Sequence, residues 1–267
     1  ANKLDISKCE YIGSYAFFNS NMIKGVVNLP ENSSYDTIKE GTFRYCSGIT
    51  KVVIPPNVKT IEAHAFENMT DLEEIVIPST VENAELSFFG CIRLKKLIIE
   101  PSTNPDAIRN ISDNGFWHCM SIDKNKFDIS GINGRIGEKA FYHFSFDVEE
   151  LDFYCSELGE YAIALSDIKK VTFHKDCEFG TLQILFIGQS IGLYGTNSRD
   201  IYNISLKDVY ADEGVTLTIN CDKNFLGWYN NFPTDQCIGI DKYTNAMGSS
   251  ICCCFQDITD ILLSDTT

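Results

Sequence analysis

Histidines and paired carboxylates are the residues of this chain best suited to acid–base or metal chemistry. The four histidines are widely separated and form no metal-binding motif: His64, His118, His143 and His174. Adjacent carboxylates, such as Glu73 with Glu74 or Glu149 with Glu150, point to opposite faces of an extended strand. We therefore interpret both sets as structural or solvated side chains.

The eleven cysteines are a second potential source of chemistry, because thiolates attack electrophiles and bind metals. No two have C-x-x-C spacing, and the odd count leaves at least one thiol unpaired within a single chain. The run Cys252-Cys253-Cys254 could bind metal, carry palmitate or form intermolecular bonds, but we interpret it as closing structure. The sequence has no P-loop and no G-x-S-x-G motif, so we predict no catalytic residue, no metal site and no cofactor.

The composition indicates an ordered, acidic domain. The 267 residues are 44% hydrophobic, enough for a substantial core, and the net charge is −15. That charge repels phosphate backbones and anionic lipid headgroups, which argues against nucleic acid as a partner. No apolar run approaches the roughly 20 residues of a membrane-spanning helix, and residues 1–5 do not resemble a signal peptide. A signal peptide or anchor in a longer chain remains compatible with this.

One sequence pattern recurs about every 22 to 28 residues through the first two thirds of the chain. A clear copy runs from Ile38 through Phe43 and Cys46 to Val52-Val53-Ile54-Pro55. The next copy begins at Ile61 and ends at Ile75-Val76-Ile77-Pro78. Looser copies continue to Phe173.

The spacing within each copy predicts a stacked solenoid. Inward positions two residues apart, such as Val52 and Ile54, indicate a short strand. The preceding Ala-Phe-x-x-Cys segment has inward residues three apart, typical of a single helical or 3₁₀ turn. One unit cannot bury its apolar face alone, but stacked units can. We predict an α/β solenoid with one parallel sheet, one short strand per repeat, and helical or 3₁₀ turns opposite.

The repeat, I-x-x-x-A-F-x-x-C-x-x-L-x-x-V-x-I-P, closely resembles that of the BspA-like leucine-rich-repeat family. The resemblance is strong from about Ile12 to Phe173. It implies a cell-surface or secreted protein of host-associated bacteria or protozoa that acts in adhesion and protein binding. A host or extracellular-matrix protein would then be the partner.

The repeat pattern becomes irregular after residue 173. We divide the chain into regular repeats over 1–173 and degenerate closing repeats of the same solenoid over 174–267. Terminal repeats are commonly atypical because they cover the open end of the core. A separate second domain is the alternative.

The shared cysteine position of the repeat is predicted to be a core slot. It holds Cys46, Cys91 and Cys119 in some copies, and Met69 and Phe144 in others. Coils stack about 4.8 Å apart, so Cys46 and Cys91, two coils apart, lie beyond disulfide reach, whereas Cys91 and Cys119 could bond. We predict that Cys46 is a buried free thiol.

Two outward rows are predicted on the strands. The first alternates in charge and comprises Lys51, Glu74, Lys96, Lys124, Glu150 and Lys170. The second is an apolar stripe, Val53, Val76 and Ile98, bounded by polar Asn28 on one side and by Asp152 and Thr172 on the other. A bounded apolar patch is typical of an interaction site, although β-branched residues also simply suit strands.

We therefore predict a non-enzymatic protein-binding or adhesion module whose contact residues are Val53, Val76, Ile98, Asp152 and Thr172. One alternative is an intracellular repeat scaffold, which unpaired cysteines would suit. Another is an enzyme with its site in the C-terminal segment, for which a deep polar pocket would be needed.

Overall fold

A computed structural model describes the chain most fully between residues 6 and 179. Within that span it leaves out 143, 145–146, 160–161, 164–165, 167 and 169. Beyond 179 it describes backbone strands only, at 190–192, 201–203, 208–211, 216–222, 243–244, 250–251 and 260–266.

From β1 to β10, the coils of the solenoid contribute strands alternately to two parallel sheets. The first sheet comprises β1 (Gly25–Asn28), β3 (Ile49–Val53), β5 (Glu74–Ile77), β7 (Lys96–Ile99) and β9 (Phe127–Asp128). The second comprises β2 (Thr37–Ile38), β4 (Thr60–Ile61), β6 (Asn83–Leu86), β8 (Ile108–Ile111), β10 (Arg135–Ile136), β12 (Glu157–Leu158), β14 (Cys177–Phe179), β18 (Thr216–Asp222) and β21 (Asp260–Thr266).

Three smaller sheets complete the described strands. A parallel sheet contains β11 (Glu150–Phe153), β13 (Lys170–Phe173) and β17 (Asp208–Ala211). Two antiparallel pairs are β15 (Ser190–Gly192) with β16 (Ile201–Asn203), and β19 (Tyr243–Thr244) with β20 (Ser250–Ile251).

The strands form where alternate residues are apolar and β-branched. In β5, Ile75 and Ile77 are fully buried while Glu74 and Val76 remain half-exposed. Branched side chains pack well on a pleated strand. Because successive side chains point to opposite faces of the sheet, every second residue faces the core. Each following coil repeats the arrangement, so the inward rows merge into one continuous core.

A tight turn closes each coil just before the cysteine slot. The N–H of Cys46 donates to the carbonyl of Phe43, three residues earlier, at 3.0 Å. The residue before this slot has a left-handed backbone in five coils: Asn19, Tyr45, Asn68, Gly90 and His118. Only glycine adopts that conformation freely. At Asn19, Tyr45 and Asn68 the backbone N–H donates to a carbonyl of the next coil at 2.7 to 2.9 Å, which helps to fix the turn.

A column of stacked phenylalanine rings runs through the core at these turns. Successive ring centroids are 4.9 to 6.4 Å apart along Phe17, Phe43, Phe66, Phe88, Phe116 and Phe141. Each ring contacts its equivalents above and below, because consecutive coils place the same residue at the same point. The repeated phenylalanine therefore acts as the main spacer between coils.

The structure confirms the leucine-rich-repeat solenoid and adds one feature to it. The predicted strand is present in each regular coil, and the Ala-Phe segments are single turns. The isoleucine that begins several of the repeats, however, also lies in a strand, as Ile38 does in β2 and Ile61 in β4. Two neighbouring coils align these short segments well enough to form a second parallel ladder. Helix is limited in the described residues to one 3₁₀ turn, Lys124–Lys126.

The division of the chain at residue 173 stays a prediction. β17 pairs with β13, and β18 with β14, both in parallel. Most residues of the fitted closing repeats, and Cys252-Cys253-Cys254, lie outside the described part of the chain.

Candidate functional site

The predicted apolar stripe lies on the outward face of the first sheet. Val53, Val76 and Ile98 are all half-exposed, while their strand neighbours Val52 and Leu97 are buried. Val76 is directly opposite Ile98 in the parallel register. The stripe is thus a continuous surface feature across three strands.

Polar residues bound this stripe at both ends. Asn28 is opposite Val53 on β1, and Asp128 is opposite Ile98 on β9. Both polar side chains are exposed. The apolar surface is therefore local and does not extend along the whole sheet.

A row of ion pairs runs alongside the stripe. The Glu74 carboxylate lies between two ammonium groups, with Oε1 at 2.9 Å from Lys51 Nζ and at 2.8 Å from Lys96 Nζ. Hydrogen bonds from Lys96 and Lys51 lower the pKa of Glu74, so the row stays charged at neutral pH. Downstream, Glu150 and Lys170 form a separate pair at 3.2 Å.

One member of the predicted charged row was wrong. Lys124 lies in the 3₁₀ turn, and the register places Phe127 opposite Leu97. The residue before the first inward position of β9 is therefore Lys126, whose ammonium group pairs with Asp123 at 2.9 Å. The extra residues of this coil shifted the pattern, because 30 residues separate Leu97 from Phe127 whereas 22 separate Ile75 from Leu97.

The first sheet is interrupted after β9. β9 pairs with β7, and β11 pairs with β13, but β9 and β11 belong to different sheets. A cleft of about 640 Å³ opens between them, a size typical of ligand-binding sites. Its lining includes apolar Phe127, Ile129, Val148, Leu151 and Tyr154, the carboxylates of Asp128, Glu149, Glu150 and Asp152, and one ammonium group, that of Lys124.

The two predicted downstream contact residues lie on the β11 side of this cleft, and Asp152 is part of its lining. Asp152 is directly opposite Thr172, on β11 and β13. The Asp152 carboxylate is 3.3 Å from His174 Nε2, and the His174 ring stacks on Tyr154. Val53, Val76 and Ile98 are thus on one side of the break, and Asp152 and Thr172 on the other.

The cysteine slot is buried, as predicted. Cys46 is fully buried and free, and its thiol donates to the carbonyl of Phe17 in the preceding coil at 2.8 Å. Burial raises the pKa of Cys46 to about 11 and that of Cys91 to about 12, so both remain protonated at neutral pH. Cys91 and Cys119, for which a bond was left open, are both free.

A pair of cysteines that the sequence pattern did not single out meets in the core. Cys155 and Cys177 lie in adjacent coils with their sulfur atoms 3.7 Å apart. Their mutual hydrogen bond, together with burial, raises the pKa of Cys177. Cys155 lies two residues before β12 and Cys177 is the first residue of β14, so their similar places at the start of neighbouring second-sheet strands were the signal that could have paired them.

The remaining titratable side chains do not converge on a reaction centre among the described residues. His64 Nδ1 is 2.7 Å from the Glu67 carboxylate, and Arg44 lies 3.0 Å from the same carboxylate on its other oxygen. No group of three or more potential metal ligands is found in the described ranges. His143 lies outside them. The helices of the described part include none long and apolar enough to cross a bilayer.

The cleft was missed because the coil containing it was read with the wrong spacing. Ile122 and Phe127 are five residues apart, whereas the equivalent residues elsewhere, such as Leu72 and Ile75, are three apart. That irregular step was the available signal. The longer step places Phe127 and Asp128 in β9, opposite Leu97 and Ile98, and both residues line the cleft.

Comparison with known proteins agrees with this architecture. The profile of the BspA type leucine rich repeat region matches residues 2–95 and 84–183 in six copies. No curated protein matches significantly. The matched segments cover more than half of the chain and contain the regular repeats, the whole first sheet and the cleft. The chain belongs to the BspA-type leucine-rich-repeat family.

Proposed function

We propose that this protein is a protein-binding module that recognises its partner with the outward face of the first sheet. BspA-type repeats generally bind proteins or act in adhesion, and leucine-rich-repeat solenoids are typically non-enzymatic scaffolds. The observation that carries the proposal is the half-exposed apolar stripe of Val53, Val76 and Ile98, bounded by polar residues.

The chemistry of the stripe suits a protein surface better than a small molecule. Its residues lie on the outward face of a sheet, where desolvated apolar contacts at the centre supply affinity and the polar rim supplies orientation. Lys51, Glu74 and Lys96 provide fixed charges beside the stripe. Asp152 and Thr172 extend the polar part of the surface to the β11 side of the cleft.

We also propose that the protein acts at the cell surface or after secretion, binding host or extracellular-matrix protein. The family occurs often on cell-surface or secreted proteins. An intracellular scaffold is the second candidate, favoured by the free thiols of Cys46, Cys91, Cys119, Cys155 and Cys177. Localising the protein in its native cells, by surface protease digestion with a cytoplasmic marker as control, separates the two.

The binding face is tested by capture of matrix and host-cell proteins on the immobilised protein. Val76→Asp, which places a charge at the centre of the stripe, should weaken binding of a captured partner by tenfold or more. Thr60→Asp is the matched control, since Thr60 is half-exposed on the second sheet of the same coil. Equal binding by both variants would move the recognition surface to another face.

A further inference from the structure

We propose that the gap between β9 and β11 accepts an extended, basic peptide segment as an additional strand of the first sheet. This inference rests on the proposed function and deepens it, because it names the kind of segment of a protein partner that would bind at the first sheet. It requires open backbone groups, room for a strand, and side chains that select the occupant.

The backbone of β11 directs hydrogen-bonding groups into the gap. The carbonyls of Glu149 and Phe153 accept from the N–H groups of Lys170 and His174, at 3.0 and 2.9 Å, on the β13 side. Because backbone groups alternate sides along a strand, those of Glu150 and Asp152 point away from β13, toward β9. The same alternation directs the backbone groups of Phe127 into the gap from β9.

The gap opens on one side of the solenoid only. On the opposite side β10 pairs with both β8 and β12, so these coils remain stacked there. The space available to a strand on the open side is the cleft of about 640 Å³ that β9 and β11 line. A peptide can enter from the open face without breaking any strand pair of the described coils.

The side chains select an extended and positively charged segment. Phe127 and Leu151 line the interior of the cleft and would contact alternate apolar residues of an inserted strand. Asp128 and Asp152 are exposed on the outer rim, on opposite sides of the gap, and Glu150 lies next to them. Alternate basic residues would face these carboxylates, and opposite charges on neighbouring strands attract.

A heptapeptide of alternating lysine and valine, blocked at both ends, is the probe. Its alternation is the same in both directions, so it fits parallel or antiparallel insertion. Titration calorimetry or fluorescence anisotropy should detect its binding, while the same peptide with glutamate for lysine should not bind. In the complex, the amides of Glu150 and Asp152 should exchange hydrogen more slowly.

Two changes separate strand insertion from simple charge attraction. N-methylation of the valines removes donors to one strand edge and should weaken binding by tenfold or more. The double variant Asp128→Asn/Asp152→Asn should also weaken it tenfold or more, and asparagine keeps the oxygen that accepts from the Ser130 N–H. Asp36→Asn/Asp106→Asn, equally exposed beside the second sheet, is the matched control and should bind as the parent does.

Three results would overturn the proposal: no binding of the lysine peptide, binding unaffected by N-methylation, or equal weakening by the control double variant. The proposed function is tested by a separate measurement, the capture of a protein partner. Val76→Asp should leave peptide binding unchanged while reducing capture of a protein partner. If the parent protein captures a protein partner but does not bind the lysine peptide, only the gap is rejected as a peptide site, and the proposed function stands.

Discussion

The first and second sheets respond differently to the same irregular coil. Between Leu97 and Phe127 the chain is eight residues longer than between Ile75 and Leu97. The second sheet remains paired through β8, β10 and β12, whereas the first sheet shortens at β9 and is interrupted before β11. The extra residues of this coil lie on both sides of β8, and they leave the second sheet paired while the first sheet is interrupted by a cleft.

The coils on the two sides of the break also differ in how their polar groups are held. Upstream, the Glu74 carboxylate is shared by two lysines, and the thiols of Cys46 and Cys91 each donate to a phenylalanine carbonyl. Downstream, the Glu150 carboxylate forms an ion pair with one lysine, Lys170, and the thiol of Cys155 contacts that of Cys177. The upstream coils repeat their contacts more regularly, which suits them to a continuous surface.

The largest expected effect comes from removing the ring that joins the two regions. Phe116 is fully buried and contacts Phe88 upstream, Phe141 downstream and Phe127 in β9. Phe116→Ala should reduce the free energy of unfolding by about 3–5 kcal/mol, measured by chemical denaturation. Phe18→Ala, 48% exposed at a turn, is the control and should cost less than about 1 kcal/mol. Similar losses from both variants would mean that the ring column does not hold the coils together.

Thiol reactivity should sharply distinguish the interior from the edge of the upstream coils. The pKa of Cys46, raised from 9.0 to about 11, leaves about a hundredfold less thiolate near neutral pH, and burial restricts access further. Native labelling with iodoacetamide, followed by peptide mass spectrometry, should modify half-buried Cys9 long before Cys46. Labelling of Cys46 at the rate found in denatured protein would contradict its place in the core.

The charged row should contribute modestly, and more upstream than downstream. Glu74→Lys removes two ion pairs and places three positive charges in succession, so it should cost roughly 1 kcal/mol in denaturant unfolding. Glu150→Lys removes one pair on a 70% exposed side chain and should cost less. A loss of several kcal/mol at Glu74 would reveal a buried network in place of a half-exposed row.

The smallest effect concerns pH. The two lysines lower the folded-state pKa of Glu74 below its ordinary value of 4.5. Its stabilising contribution is therefore complete above that value and is lost as the pH falls through the lower folded-state pKa. Between pH 5 and 3, roughly where carboxylates titrate, the parent should lose slightly more stability than Glu74→Gln. Identical pH profiles would show that the pair is screened by solvent.

The sequence predicted the features that depend on local period and repetition. The two-residue step from Val52 to Ile54 identified a strand, and the exchange of Cys46 for Met69 in the next copy identified a core slot, because an interior position tolerates only apolar groups of suitable size. Outward exposure of Val76 followed from the same alternation. Family membership could be recognised from these residues alone.

Tertiary structure decided what depends on contacts between coils. The second sheet forms because Ile38 and Ile61 fall side by side once the coils stack, although each segment contributes only two paired residues. The meeting of Cys155 with Cys177, and the register that replaced Lys124 by Lys126, likewise depend on how neighbouring coils align. The cleft lies where the longer coil packs against the next coil, while the second sheet stays paired on the opposite side. The sequence of one repeat does not contain the distance between two neighbouring coils.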